Sequence, residues 1–257
     1  MPKIHPTAIV DSKADLADDV EVGPFSIIEG DVQIDSGSQI HSHVLVAEGA
    51  RIGRNCSVHH GAVLSTKPQD LKFKGEKTTL EIGDGTVIRE YADLNRGTVD
   101  RGKTVVGRNS FLMAYTHVAH DCFIGDHVIL ANGVQLAGHV TIENHVILGG
   151  LVPVHQFCTI GQHSFVGGGY RVPQDVPPYI LAAGEPLGYK GLNITGLKRR
   201  GFDKESIRAL HRCYRLLYQS NMNRTQALKA IQSEVPSIPE IEIVLKFIEK
   251  SKRGIIR

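Results

Sequence analysis

The sequence has no tryptophan, and aromatic residues make up only 6% of its 257 positions. Proteins that hold single-stranded nucleic acid stack bases on aromatics set among cations. That interleaving is thin here and no nucleic-acid motif occurs, so no nucleic-acid partner is expected. Long apolar runs are missing as well. Nothing approaches the roughly 20 residues that span a bilayer, and the N-terminus carries no basic-then-apolar leader. Cysteine is scarce, at four residues with no Cys-X-X-Cys pair, which removes the usual signs of a zinc ribbon or a disulfide framework. Three of the four, Cys56, Cys122 and Cys158, recur at one small-residue position of a repeat and read as reduced core filler. A cytoplasmic location without a membrane span is the expectation.

What the chain does have is a period. From Val106, every sixth residue is aliphatic through Leu112, Val118 and Ile124 to Val172, twelve in an unbroken series. Four residues after each sits a small side chain, from Ser110, Thr116 and Cys122 to Ser164; Tyr170 is the one misfit before Val176. A helix repeats near 3.6 and a half-buried strand at 2, so neither template explains a six. A short repeat of this kind reads as a solenoid, whose units bury their apolar residues only by stacking. Three hexads make one triangular coil of 18 residues, and residues 18 apart then stack about 4.8 Å apart. The same period starts at Ile4 and runs to Leu64, is interrupted over 65–81, returns at Ile82, Ile88 and Leu94, and is interrupted again over 98–104. The total is 26 hexads, between eight and nine coils.

After Pro177-Pro178 the period stops and helical signals begin. Asp203 is an N-cap for a helix carrying Ile207, Leu210, Tyr214 and Leu217 on one face, and Ser237-Ile-Pro-Glu240 reads as a capping box before Ile241–Ile248. The expected division is 1–185 for the coil and 186–257 for a helical domain. The net charge of +2 hides an asymmetry: residues 186–257 carry 15 Lys/Arg against 6 Asp/Glu, whereas residues 1–185 carry 14 against 21. A basic module on an acidic solenoid suggests an acidic partner.

The 18-residue stacking turns spacing into neighbours. His120 lies under Gly138, and Gly138 under Gln156; Asp121 lies under His139; His117 and His155 fall within a residue or two of the same edge. Imidazoles exchange protons near neutral pH, so four at one edge with a carboxylate suggest acid–base chemistry. One reading is acyl transfer, with a histidine taking a proton from an attacking hydroxyl while a backbone N–H stabilises the oxyanion. No Ser or Cys nucleophile stands in the cluster, so direct transfer is the simpler form. A zinc site with about three protein ligands and a non-catalytic scaffold are the competing readings.

The runs His117-Val-Ala-His120-Asp121-Cys122, Leu136-Ala-Gly-His139, Val154-His155-Gln-Phe-Cys158, Gln174-Asp-Val-Pro-Pro178 and Gly196-Leu-Lys-Arg-Arg-Gly-Phe202 together resemble the UDP-N-acetylglucosamine acyltransferases of lipid A biosynthesis. The resemblance covers essentially the whole chain. It implies a mainly β fold, a left-handed parallel β-helix of hexapeptide repeats with a C-terminal α-helical domain, assembled as a homotrimer with sites between subunits. The left hand comes from the resemblance alone, since the general crossover rule favours the right. The implied reaction moves an (R)-3-hydroxyacyl group from acyl carrier protein to the 3-position of the UDP-sugar, without a cofactor or metal.

By the same resemblance His120 is the general base, Asp121 its orienting partner and Gly138 the oxyanion donor. His117, His139, His155 and Gln156 position substrate, as do Gln69, Asp70 and Lys72 in the first interruption. Asn193, Arg199 and Arg200 contact the nucleotide, and Gly168, complicated by Tyr170, ends the acyl channel. Asn95 and Thr195 depart from the family pattern, which keeps a 3-amino acceptor open beside the 3-hydroxyl.

Overall fold

Each aliphatic residue of the repeat closes a short strand. The computed structural model describes residues 1–257, and in it 25 strands of two to four residues end on Ile4, Val10, Leu16 and so on through Val166, apart from Thr66 and Asn95, which run one or two residues past Leu64 and Leu94. Val172, the last hexad, forms a single parallel bridge to Val154. These 25 strands sort by threes into three sheets of 9, 8 and 8, and two later strands extend the first to 11. Residues 18 apart pair in register, as in His117↔Gln135↔Pro153. The result is a left-handed parallel β-helix followed by four C-terminal helices.

The lumen explains the pattern. The aliphatic hexad residues from Ile28 onward are almost wholly buried, as are the small ones. Each aliphatic side chain buried this way is worth about 1.5–3 kcal/mol. Hydroxyls among the small residues are satisfied inside the coil: Ser38 Oγ donates to the Gly53 carbonyl at 2.7 Å and Ser110 Oγ to that of Gly125 at 3.1 Å. The buried thiols behave as filler, with burial pushing Cys122 up to about 12 and Cys158 up to about 11.

The two interruptions are multiples of the repeat. The spacing between paired residues grows to 30 across the first (Ile52↔Ile82) and to 24 across the second (Leu94↔Val118), so the register resumes without a slip. Both excursions leave the coil at one edge. The first runs from strand Val63–Thr66 to Thr79–Ile82 and the second from Asp93–Asn95 to Lys103–Val106. The next coil turns at the same edge, between His117–Val118 and Phe123–Ile124. Two loops are thus gathered directly beneath His120.

The coil ends differently from the expectation. Val176, read as a small-position residue, bridges to Ile160 only 16 residues away and takes an aliphatic position. The final turn is thus two residues shorter than the 18-residue repeat, in a stretch that carries Pro173, Pro177 and Pro178. Tyr170 stays half-buried with its ring against Gly167. The first sheet then continues past residue 186: Ile180–Ala183 adds a parallel strand and Gly188–Leu192 folds back antiparallel on it.

Helices follow as α1 (Ile194–Arg199), α2 (Lys204–Tyr218), α3 (Arg224–Glu234) and α4 (Pro239–Lys250). Asp203 caps α2 as expected, accepting from Ser206 N. The capping box at Ser237 does not form. Ile238 is the N-cap of α4 without a side-chain bond, and Pro239 opens the helix, where its missing N–H costs nothing. The capping box that does form is Asn223 with Gln226, at the start of α3, which the apolar spacing alone did not reveal. Tyr214, fully buried in α2, donates its hydroxyl to the Pro178 carbonyl at 2.6 Å, and Ser251 donates to buried Asp175 at 2.6 Å. These bonds strap the helices to the end of the coil.

Candidate active site

Position 121 and its stacked equivalents 139 and 157 are corner residues, all left-handed with φ of 58°, 62° and 64°. Asp and His tolerate that region better than most side chains, and the corner turns their side chains onto one edge. Asp121 is fully buried. Its Oδ2 accepts from His120 Nδ1 at 2.8 Å and from the Thr98 hydroxyl at 2.7 Å; its Oδ1 accepts from the backbone N–H groups of Thr98 at 3.0 Å and Arg101 at 3.3 Å. Burial alone would raise this carboxyl, but the bonds from Thr98 and His120 outweigh it and hold Asp121 below the usual range. A carboxylate can only accept, so the hydrogen of that bond sits on His120 Nδ1, and in the neutral ring Nε2 is the basic nitrogen.

Gly138 lies over that ring. A Cβ at 138 would stand 2.7 Å from His120 Cε1 and 2.8 Å from Nε2, so only glycine leaves the imidazole where it is. The Gly138 N–H donates to no acceptor within the chain. His139 meets His120 edge-on at 5.2 Å and stacks on Phe157 at 4.6 Å. Its pKa is lowered, chiefly by burial, with His120 and Arg101 adding to the effect against Asp121 and Asp100. His117 stands on the adjoining face with Nδ1 2.9 Å from Asp93.

The arrangement suits proton chemistry better than zinc. His120, Asp121 and His139 do bring ligand atoms within 4.8 Å of one another. All four acceptor positions of Asp121 are taken, however, which leaves two imidazoles where a zinc site needs about three protein ligands.

Two descriptions of protein families fit the chain: "bacterial transferase hexapeptide (six repeats)" at 103–138 and "Udp N-acetylglucosamine O-acyltransferase; Domain 2" at 175–256. The chain is 48% identical to the acyl-[acyl-carrier-protein]–UDP-N-acetylglucosamine O-acyltransferase of Xanthomonas axonopodis pv. citri over 258 residues, covering 100% of this chain and 98% of that one. The enzyme of the same name from Thiobacillus denitrificans is 44% identical over 100% of both chains.

The chain belongs to the UDP-N-acetylglucosamine O-acyltransferase family.

Solved structures agree with this. The UDP-N-acetylglucosamine acyltransferase of Bacteroides fragilis superposes with a TM-score of 0.97 at 44% identity, over 98% of this chain and 99% of that one. The Arabidopsis enzyme gives 0.88 at 34%, over 99% and 100%.

Within this acyltransferase fold the remaining expected residues fall into groups. Asp70 and Lys72, in the first excursion, share a cavity of about 290 Å³ with Thr98, His139 and Phe157; Gln69 is exposed beside them. His155 accepts a bond from Arg253 at 3.1 Å, and Gln156 is exposed above Gly138. Asn95 is buried at the foot of the same edge, donating to Thr66 at 2.9 Å, with its Oδ1 unpartnered.

The other residues singled out in the sequence lie elsewhere. Arg199 and Arg200 end α1 beside the next corner of the triangle, where Arg200 donates to the His145 carbonyl at 3.0 Å. Asn193 caps α1 and donates to the His163 carbonyl at 2.9 Å, so both ends of its amide are engaged. Thr195 is exposed on α1. Gly168 belongs to the third corner, where a Cβ would come within 3.1 Å of the Gly150 carbonyl. One chain therefore does not bring the arginine pair to His120.

The sequence reading missed Thr98 and Arg101. Their only signal was the second break in the period, which marks a loop without saying what it holds.

Proposed function

We propose that this protein transfers a (R)-3-hydroxyacyl group from acyl carrier protein to the 3-position of UDP-N-acetylglucosamine, the first acylation of lipid A biosynthesis. The observation that carries the mechanism is the His120 ring, fixed at Nδ1 by a buried carboxylate with Nε2 free beneath Gly138. Nε2 takes the proton of the sugar 3-hydroxyl as its oxygen attacks the thioester carbonyl. The resulting oxyanion is met by the free Gly138 N–H, and the tetrahedral intermediate collapses with return of the proton to the departing thiolate. Asp121 holds the tautomer and stabilises the imidazolium. No covalent enzyme intermediate is needed.

Asp70, Lys72, His139 and His155 line the approach to this edge and position substrate with Gln69, His117 and Gln156. Arg199 and Arg200, with Asn193 setting the start of α1, contact the nucleotide; forked guanidinium donors suit a diphosphate. Because they stand one corner away from His120, they serve the His120 edge of a second copy, which supports a homotrimer with sites between subunits. Gly168 ends the acyl channel at the glycine corner. No helix is long and apolar enough to cross a membrane, and four buried free thiols fit a reducing cytoplasm.

The test is acyl transfer by purified protein from a 3-hydroxyacyl carrier protein, with UDP-N-acetylglucosamine and its 3-amino analogue compared as acceptors. Esterification of the 3-hydroxyl supports the reading. Transfer only to the amine would move the acceptor assignment to the 3-amino sugar, and the buried Asn95 would then be the first residue to exchange. No transfer to either overturns it.

A further inference from the structure

We propose that Thr98 is a positioning residue for the acyl transfer, acting through Asp121 on His120; the inference rests on the reading of His120 as the base. The 98–104 excursion closes over the carboxylate from outside the repeat. The Thr98 hydroxyl and the His120 imidazole share one oxygen, Asp121 Oδ2, at 2.7 and 2.8 Å, so each fixes the direction of the other. The Thr98 N–H holds the opposite oxygen at 3.0 Å. Thr98 is itself almost wholly buried, and its hydroxyl accepts from Asp100 N at 3.2 Å, which leaves its single proton to point at Asp121. The carboxylate is therefore gripped on both oxygens by one residue of the excursion.

Arg101 closes the same loop, donating from its guanidinium to the Asp121 carbonyl at 2.8 Å. The charged and titratable groups gathered around Asp121 are His120 and His139, with Arg101 on its carbonyl and Asp100 beside His139. None of them replaces the hydroxyl at Oδ2. Without it Oδ1 keeps its two backbone N–H bonds but Oδ2 is held only by the imidazole it orients, so Nε2 loses its fixed direction beneath Gly138. A misdirected base slows the proton transfer while substrate still binds.

Thr98→Val removes the hydroxyl and keeps the shape. Expected is a fall of 10- to 100-fold in kcat with KM for the UDP-sugar within about twofold, and recovery to within about threefold of wild type in Thr98→Ser. In an Asp121→Asn background the same Thr98→Val change should cost less than about threefold more, because the residue through which it acts is already altered. Melting temperatures are measured throughout, and Thr98→Ala, which removes the same hydroxyl with less bulk, carries the comparison if the valine variant does not fold. Wild-type kcat in the hydroxyl-free variant, a loss that appears only in KM, or the full loss repeated in the Asp121→Asn background would each overturn the assignment. An active wild type with inactive His120→Ala and unimpaired Thr98→Val would sink this inference alone; an inactive wild type would sink the acyltransferase reading itself.

Discussion

At the scale of single residues, the site depends on where one imidazole points. Asp121→Asn keeps the shape but removes the charge that stabilises the imidazolium, so turnover should fall by less than in a variant lacking the base. Equal losses in Asp121→Asn and His120→Ala would mean that the two roles are misassigned. Gly138→Ala is a sharper probe. The glycine backbone is not left-handed, so alanine is tolerated conformationally, yet its Cβ would fall 2.7 Å from the His120 ring. Turnover in Gly138→Ala should drop by about 10²-fold, as expected for a displaced base, with the melting temperature little changed; retained activity would mean the ring is free to stand elsewhere. His120, Asp121, His139 and Gly138 were legible because a strict period turns sequence distance into spatial contact. Thr98 and Arg101 were not, since a loop outside the repeat has no register from which to read its neighbours.

At the scale of elements, the coil was readable almost strand by strand, because each hexad can bury its aliphatic residue in only one way. The helices were readable only where a strong local signal existed. Asp203 provided one, whereas α3 has a weakly apolar face and its Asn223 cap resembled any loop asparagine. One column of the coil makes a prediction of its own. His127, His145 and His163 stack at 4.8 and 4.7 Å, and the column continues onto Tyr179 at 5.5 Å with Phe202 edge-on. Burial first, then neighbouring histidine and Arg200, lowers His163 to about 4. His145 is lowered by burial, Arg200 and His127, against Asp126. Folded values below the unfolded value of about 6.5 mean that the unfolded chain binds protons first as pH falls. Stability should therefore decline from about pH 6.5 downward, and a triple His→Gln variant at 127, 145 and 163 should show a flatter melting profile between roughly pH 5 and 8. Matching profiles would make the column inert. The glycine corner carries a separate prediction, on the proposal that Gly168 ends the acyl channel. Gly168→Met should shift kcat/KM among C10, C12 and C14 3-hydroxyacyl carrier proteins toward shorter chains. If Tyr170→Ser lengthens the preference of a wild type that already favours the shortest, the tyrosine is the ruler.

At the scale of the whole molecule, charge and geometry divide the work. Residues 186–257 carry 15 Lys/Arg against 6 Asp/Glu, a surplus that suits docking of an acidic carrier protein. Neutralising several exposed cations of 204–253 should raise KM for the acyl carrier and flatten its salt dependence. Arg199→Ala or Arg200→Ala should weaken the UDP-sugar instead. Because Arg200 and His120 stand at different corners of one chain, mixing the impaired variants Arg200→Ala and His120→Ala at low UDP-sugar should restore part of the activity; no recovery in verified mixed assemblies would place both residues in the same chain's site. The most direct measurement is turnover of 3-hydroxyacyl carrier protein and UDP-N-acetylglucosamine by wild type and His120→Ala, with the melting temperature of each. With His120 as the general base, turnover in His120→Ala falls by about 10²–10⁴ while folding and UDP-sugar binding persist. Wild-type turnover in that variant, or a loss that only follows its unfolding, would contradict it.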